Sequence, residues 1–396
     1  MNQDLTKGNI TKTMLIFAFP MMVGNMLQQL YNVVDTLIVG QFLGAGALAA
    51  VGSSYTLMTF LTSILLGLCM GSGTVFSICS GKQDFAYLRS CIFVSFTAIA
   101  ALTLILNVAV FAGMDGILLL LQVPDEIYAE MKDYLWVIFW GIAASFLYNY
   151  FASFLRALGN SVVPLIFLGI SAVLNIGLDL VFILIFHWGV KGAAGATVMA
   201  AFAAAVKIDS FAYMPVQDFG NAFSTFIAQN YGAGKRERME KGIKSAVTAV
   251  ILFCAVITCG VCFFAKQLML IFVRPEETEI LSVGMRYLRI EGAFYWGIGI
   301  LFLLYGFYRA VKKPGISLIL TIVSLGTRVF LAYTLSAIPA IGVTGIWVSI
   351  PVGWVLADVT GLLYYLHRNP MDFLQKEELL SKKQRSTDME KKKEGF

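Results

Sequence analysis

Charge is scarce in this sequence. Only 13% of its 396 residues are Asp, Glu, Lys or Arg, against 58% apolar residues, and the mean hydropathy is +0.78. A chain with so little charge cannot hide its apolar surface in one soluble core, so lipid must surround it and the expected class is an integral membrane protein. Histidine is scarcer still, His187 and His367 being the only two. With acids scattered and histidines few, there is no metal-ligand cluster, nucleophilic triad or phosphate-binding loop, so neither an enzyme nor a cofactor is expected. The six cysteines (Cys69, Cys79, Cys91, Cys254, Cys259, Cys262) sit in or beside apolar runs without ligand spacing. They read as small buried hydrophobes, and no disulfide framework is expected. The N-terminal region lacks a short apolar core followed by a small-residue cleavage site, so its first apolar run is expected to stay in the membrane.

What is present is a series of long apolar runs. A hydrocarbon core of roughly 30 Å needs about 20 residues of helix. Ten runs qualify: 13–39, 48–80, 91–114, 134–158, 162–187, 189–231, 246–273, 285–310, 315–340 and 342–366. The connections alternate in charge. Lys7 and Lys12, "GKQDFAYLRS", Arg156, "GAGKRERMEKGIK", "YRAVKKPG" and the tail from Arg368 are basic, whereas "MDGILLLLQVPDEIYAE" and "RPEETE" between them are acidic. The positive-inside rule then puts both termini and all the basic loops in the cytoplasm.

Sliding the chain against itself by 153 residues aligns punctuation and spans together. Gly67 meets Gly220, "GK" at 81 meets "GK" at 234, and "YL" at 134 meets "YL" at 287. Phe154, Arg156 and Ala157 meet Phe307, Arg309 and Ala310, and "GVKG" at 189 meets "GVTG" at 342. One ungapped offset serving five helices indicates two parallel repeats related by an axis along the membrane normal. The repeat also reveals a gap: residues 1–47 have no partner in the second copy, and run 189–231 begins like the last helix of a copy but continues like a second helix. Most of a sixth and all of a seventh helix are therefore expected to be missing around residue 200. The expected division is an N-lobe over 1–200, a C-lobe lacking its first helix over 201–366, and a charged cytoplasmic tail over 367–396.

Lone polar residues inside the spans carry the functional signal. In "YNVVDTLIVG", Asp35 lies about 22 residues from Thr13, roughly 33 Å along a helix and so in the outer part of the membrane. Gln28, Asn32 and Asp35 share one face at i, i+4, i+7, and Pro20 removes a backbone hydrogen bond below them, marking a hinge. In "LNIGLDLVFI", Asn175 and Asp179 stand at i, i+4, and Thr197 reaches a similar depth from the next span. Such a layer of acids, amides and a hydroxyl either binds a proton or a cation, with sodium possible at Asp35 and Asp179, or is a set of structurally satisfied groups between helices. In the second copy Lys207, Asp209, Gln217, Asp218 and Asn221 make one span unusually polar. These either line a substrate cavity or pack against the missing helix. Glu291 and Arg328 are further buried-charge candidates, while Arg156 and Arg309, at the cytoplasmic ends of their spans, read as topology anchors.

Three stretches carry a family resemblance: "FAFPMMVGNMLQQLYNVVDTLIVGQFLG", "RALGNSVVPLIFLGISAVLNIGLDLVFI" and "KIDSFAYMPVQDFGNAFSTFIAQNYGAGK". On these the chain resembles the bacterial branch of the multidrug and toxic compound extrusion (MATE) family over residues 1 to about 366. The resemblance implies an all-α membrane protein with two lobes of six helices around a central cavity, alternating access, and export of organic cations driven by inward proton or sodium flow. It implies a bacterial cytoplasmic membrane, small-molecule organic cations and the lipid bilayer as partners, no nucleic acid, and a monomer. Carried over residue by residue, it gives the coupling site to Asp35, Asn175, Asp179 and Thr197. The chain departs from the twelve-helix pattern, with about ten spans and no seventh helix, where some branches keep a coupling acid. A lipid-linked oligosaccharide flippase of related architecture and a truncated non-transporting remnant are the competing expectations.

Overall fold

The computed structural model describes residues 3–42, 44–120, 125–180, 197–271, 275–276 and 278–368. Among them every regular element is a helix. In chain order these are α1 (Ile10–Phe42), α2 (Gly44–Lys82), α3 (Phe85–Ala112), α4 (Met114–Leu120), α5 (Asp125–Ala157), α6 (Val162–Leu180) and α7 (Thr197–Gly232). Then follow α8 (Arg236–Phe263), α9 (Ala265–Leu270), α10 (Thr278–Gly292), α11 (Tyr295–Ala310), α12 (Pro314–Ser336) and α13 (Val343–Arg368). The boundaries have local causes. Asn9 Oδ1 accepts the Lys12 amide at 3.0 Å and starts α1, the Asp84 carboxylate accepts the Tyr87 amide at 3.0 Å and starts α3, and Pro314 opens α12, where its missing N–H leaves no gap in the ladder.

The internal repeat reappears in three dimensions. α5 ends at Ala157 and α11 at Ala310, the same 153-residue offset, and each is followed two residues later by a left-handed residue, Gly159 (φ 84°) and Lys312 (φ 60°). Such residues turn the chain sharply after a helix, a conformation that glycine adopts freely and lysine does not. The copies differ in one span. α5 is continuous, whereas its counterpart is broken into α10 and α11, bent by 48°. Carbonyls on either side of the break accept from α8: the Thr258 hydroxyl donates to the Gly292 carbonyl at 2.6 Å and the Cys254 thiol to that of Tyr295 at 3.3 Å. Inside a bilayer such groups must be satisfied by protein.

Seven helices among the described residues are long and apolar enough to cross a membrane, eight with α10 and α11 taken as one span. Two of the ten expected spans account for the difference. The run 162–187 extends past the described part of α6, and α7 carries too many polar residues to qualify as apolar. α7 is the central helix: it packs against α1, α2, α8, α10 and α11, so its polar side chains meet protein. Peripheral helices show the opposite pattern, with Phe93, Leu104, Phe263 and Phe330 turned outward as lipid-facing residues are. Two hydrophobic cores result. One gathers α2, α3, α4 and α5 around Phe76, Phe139 and Tyr150. The other gathers α7, α8 and α10–α13 around Phe226, Tyr295 and Tyr308, and it takes in Met14, Phe17 and Met21 of α1. α1 thus lies in the seam, packed on α6 on one side and on α7 on the other.

Candidate functional site

The helix ends ringed by Lys82, Arg156, Lys235, Arg309 and Arg368 form one basic end of the bundle. Asp35 stands seven residues before the end of α1, or about 10 Å, and Asn175 and Asp179 lie on the last turns of α6. Thr197 is the first residue of α7. All four positions therefore fall toward the ends of their helices remote from the basic end, and α1 packs on both α6 and α7. Their side chains lie outside the described ones. Gln28 and Asn32, on the same face of α1, are half-buried and engaged with neighbours. Pro20 lies inside α1, which continues through it, and lines a cleft with Gly24, Asn25, Tyr148, Arg156, Ser161 and Pro164.

Lower in the seam the side chains are defined. Asp218 of α7 is buried, and the Asn25 side-chain amide of α1 donates to its Oδ1 at 2.5 Å. Its Oδ2 has no hydrogen-bond partner among the described residues, and the Arg156 guanidinium is close enough to act on it electrostatically. Three residues on, Asn221 Oδ1 accepts from Arg309 Nη2 at 3.2 Å, and Nη1 of the same arginine reaches Met70 Sδ of α2 at 3.8 Å. Arg156 and Arg309, read from sequence as topology anchors at the cytoplasmic ends, also turn into the seam. Each repeat-related arginine crosses toward the other copy: Arg156 of α5 toward α7, Arg309 of α11 toward α2. Asn25 was not singled out in the sequence, although it continues the polar face of Gln28, Asn32 and Asp35 three residues earlier.

A second polar cluster lies within the α7–α13 core. Asp209 is buried and accepts the Tyr295 hydroxyl at 2.7 Å. Glu291, at the end of α10 before the break, is 1% exposed, and neither carboxylate oxygen has a hydrogen-bond partner among the described residues. Arg328 of α12 interacts electrostatically with Asp209 and Glu291 and lies 5.4 Å from the Trp354 ring centroid, a cation–π distance. Asp358 of α13 is also buried, with both oxygens unpartnered among the described residues. The rule that flagged Asp35, a lone acid in an apolar run, applies equally to Asp358 but had not been extended to it. Among the described residues no three His, Cys, Asp or Glu side chains converge as metal ligands do. Removing the Tyr295 hydroxyl in Tyr295→Phe strips Asp209 of a buried donor, and thermal unfolding in detergent should register a loss of about 1.5–3 kcal/mol.

Comparison with known proteins fits this architecture. The MatE family model matches twice, over residues 20–181 and 182–334. The probable multidrug resistance protein YpnP of Bacillus subtilis is 27% identical over 432 residues, covering 91% of this chain and 96% of the relative. Since 91% of 396 residues is about 360, roughly 70 of those aligned positions have no counterpart in this chain. The multidrug export protein MepA of Staphylococcus aureus is 31% identical over 204 residues, which is 50% of this chain and 44% of MepA. Among solved structures, an outward-facing multidrug resistance MATE family transporter superposes with a TM-score of 0.81 at 20% identity, covering 95% of this chain and all of that one. A MOP superfamily transporter from Pyrococcus furiosus, described as having a binding pocket of reverse polarity, gives the same TM-score, 0.81, at 20% identity over 95% of this chain and 99% of that one. With a two-copy helical fold and family matches spanning both copies, the chain belongs to the MatE family.

Proposed function

We propose that the chain is an ion-coupled antiporter that exports small organic cations from the cytoplasm by alternating access, with the basic end of the bundle on the cytoplasmic side. The relatives' names, multidrug resistance and multidrug export proteins, support the substrate class. The observation that carries the reading is a row of acidic positions along the seam and its flanks: Asp35 and Asp179 near the same ends of α1 and α6, which pack together, and Asp218 buried on α7, which packs on α1. In this reading Asp35, Asn175, Asp179 and Thr197 take the proton or sodium ion, and Gln28, Asn32, Asp218, Asn221 and Glu291 border the substrate path. Neutralising an acid in a low-dielectric chamber changes which lobe arrangement is favoured, and only such differential binding can couple ion flow to substrate release. Residues 1–200 and 201–366 act as the two moving lobes, with Pro20 as the hinge of α1, and the protein works as a monomer.

The test is efflux of ethidium from proteoliposomes under an imposed proton or sodium gradient. Asp35→Asn is expected to lower gradient-driven efflux at least about tenfold, since it removes the ionisable oxygen while keeping the side chain's shape. Undiminished efflux would remove Asp35 from the site. Collapsing either gradient singly decides between the ions.

One observation favours a second reading. Among the described residues Arg309 bonds in the seam to the Asn221 amide oxygen and the Met70 thioether, so its positive charge is met there by neutral groups. Such a chamber suits an anionic head group, as in flipping of a lipid-linked oligosaccharide. Proteoliposomes that translocate a fluorescent lipid-linked diphosphate sugar but not ethidium would decide for it.

A further inference from the structure

Residues 3–9 precede α1 and cross the basic end from one lobe to the other. On the N-lobe side the Gln3 amide donates to the Gly159 carbonyl at 2.9 Å. On the C-lobe side the Leu5 amide donates to Gln229 Oε1 at 3.3 Å, while Gln229 Nε2 reaches back to the Ala157 carbonyl at 2.8 Å. Leu5 is fully buried between the two. The segment's own conformation is set locally. The Asp4 carboxylate accepts the Thr6 amide at 3.0 Å and its hydroxyl at 2.7 Å, closing an Asx turn, and Gly8 takes φ 73°. Burial pushes the Asp4 carboxyl up, but the Thr6 hydroxyl and amide together with Lys7 outweigh this and hold it below the usual aspartate value.

This turn points four successive carbonyls at two cations. Arg238 Nη1 donates to Gly8 at 2.6 Å, and Nη2 donates to Lys7 at 2.5 Å and to Leu5 at 3.2 Å. Lys235 Nζ donates to Thr6 at 2.7 Å, and Asn230 Nδ2 to Leu5 at 3.1 Å. Charge-assisted bonds of this kind are roughly twice as strong as neutral ones, and the forked guanidinium binds several carbonyls at once. Both cations belong to the C-lobe, Lys235 in the α7–α8 connection and Arg238 in the first turn of α8, within the basic stretch "GAGKRERMEKGIK" that the sequence offers only as a topology signal.

We propose that residues 3–9 are a strap that holds the two lobes shut at the basic end, and that release of Arg238 from these carbonyls is a required step in opening that end. The second half rests on the alternating-access reading above. A chain segment bonded to Gly159 on one lobe and to four side chains of the other, Gln229, Asn230, Lys235 and Arg238, cannot keep both sets when the lobes part. It must detach from one, and the C-lobe set is the one made of long, rotatable side chains.

Amide hydrogen exchange of the full chain in lipid nanodiscs tests this without substrate or ion gradient, so a failure of the export assay and a failure of the strap are read separately. In Arg238→Ala, exchange of residues 3–9 should rise at least about tenfold, and exchange at the facing helix ends, 78–82 and 226–232, several-fold, while the α2–α5 core is unchanged. Arg236→Ala, whose partner is the exposed Glu240 at 3.0 Å, should change none of these. Faster exchange in 3–9 with the helix ends unmoved, or no change anywhere, overturns the proposal. A second variant guards against misfolding of the first. Thr11 Oγ1 of α1 and Ser245 Oγ of α8 lie 2.7 Å apart on the exposed surface beside the strap, a spacing that a Thr11→Cys/Ser245→Cys disulfide can bridge. Oxidation should slow exchange of 3–9 and of both helix ends several-fold below the reduced protein, reversibly; equal exchange in the two states overturns the proposal.

Discussion

Gly232→Ala is expected to be among the most damaging single substitutions in this chain, and Gly81→Ala to match it. The two glycines end α7 and α2 where the lobes touch, and a Cβ on Gly232 would collide with the carbonyl oxygen of Ile78, one on Gly81 with that of Gln229. In both cases the obstacle is backbone, which cannot swing aside as a side chain can. Either the helices part by an ångström or more, or the closed basic end is lost. Overpacking of this kind costs about 1–3 kcal/mol, and rather more where the partner is main chain. Two readouts follow: thermal unfolding in detergent falls by several degrees, and amides at 78–82 and 226–232 exchange faster. Alanine variants with wild-type unfolding and wild-type exchange would mean that the α2–α7 contact does not close the seam. Gly260, around which a Cβ meets nothing, is the matched control and should tolerate alanine.

The seam explains which parts of this molecule were legible in its sequence. Spans were, because lipid selects composition: apolar runs of sufficient length turn into helices whose outward faces stay apolar, as α3 and α12 do. The repeat was legible too, because the same helix ends and the same turn after α5 and α11 had to be kept in both copies. The break between α10 and α11 was not, since no proline marks it and the donors that stabilise it come from α8. That Arg156 and Arg309 turn into the seam was not legible either, for a related reason. Position near a span's end is visible in sequence, but the direction in which a long side chain turns is decided by what the opposite lobe offers. The strap left no signal at all, for its C-lobe partners lie more than 220 residues away in sequence and its own bonding groups are main-chain amides and carbonyls.

The seam acid itself yields the second large prediction. Asp218→Ala is expected to destabilise the protein by about 3–5 kcal/mol, because it strands both a buried amide, Asn25, and the charge of Arg156, whose Nε already has no hydrogen-bond partner among the described residues. Asp218→Asn separates the two contributions: the side-chain oxygen still accepts from Asn25, while the charge facing Arg156 is gone. If the hydrogen bond holds α1 to α7, asparagine keeps most of the stability lost in alanine, and thermal unfolding in detergent places it between wild type and Asp218→Ala. Equal losses in the two variants would assign the contact to charge alone. In that case Asp218→Asn/Arg156→Gln, which removes both charges, should regain stability over Asp218→Asn, as expected when two opposite charges that interact in the interior are removed together instead of singly. Wild-type unfolding of Asp218→Ala would mean that Asn25 and Asp218 do not tie the lobes together, and the bond that joins α1 to the centre of the seam would have to be sought higher, toward Gln28 and Asn32.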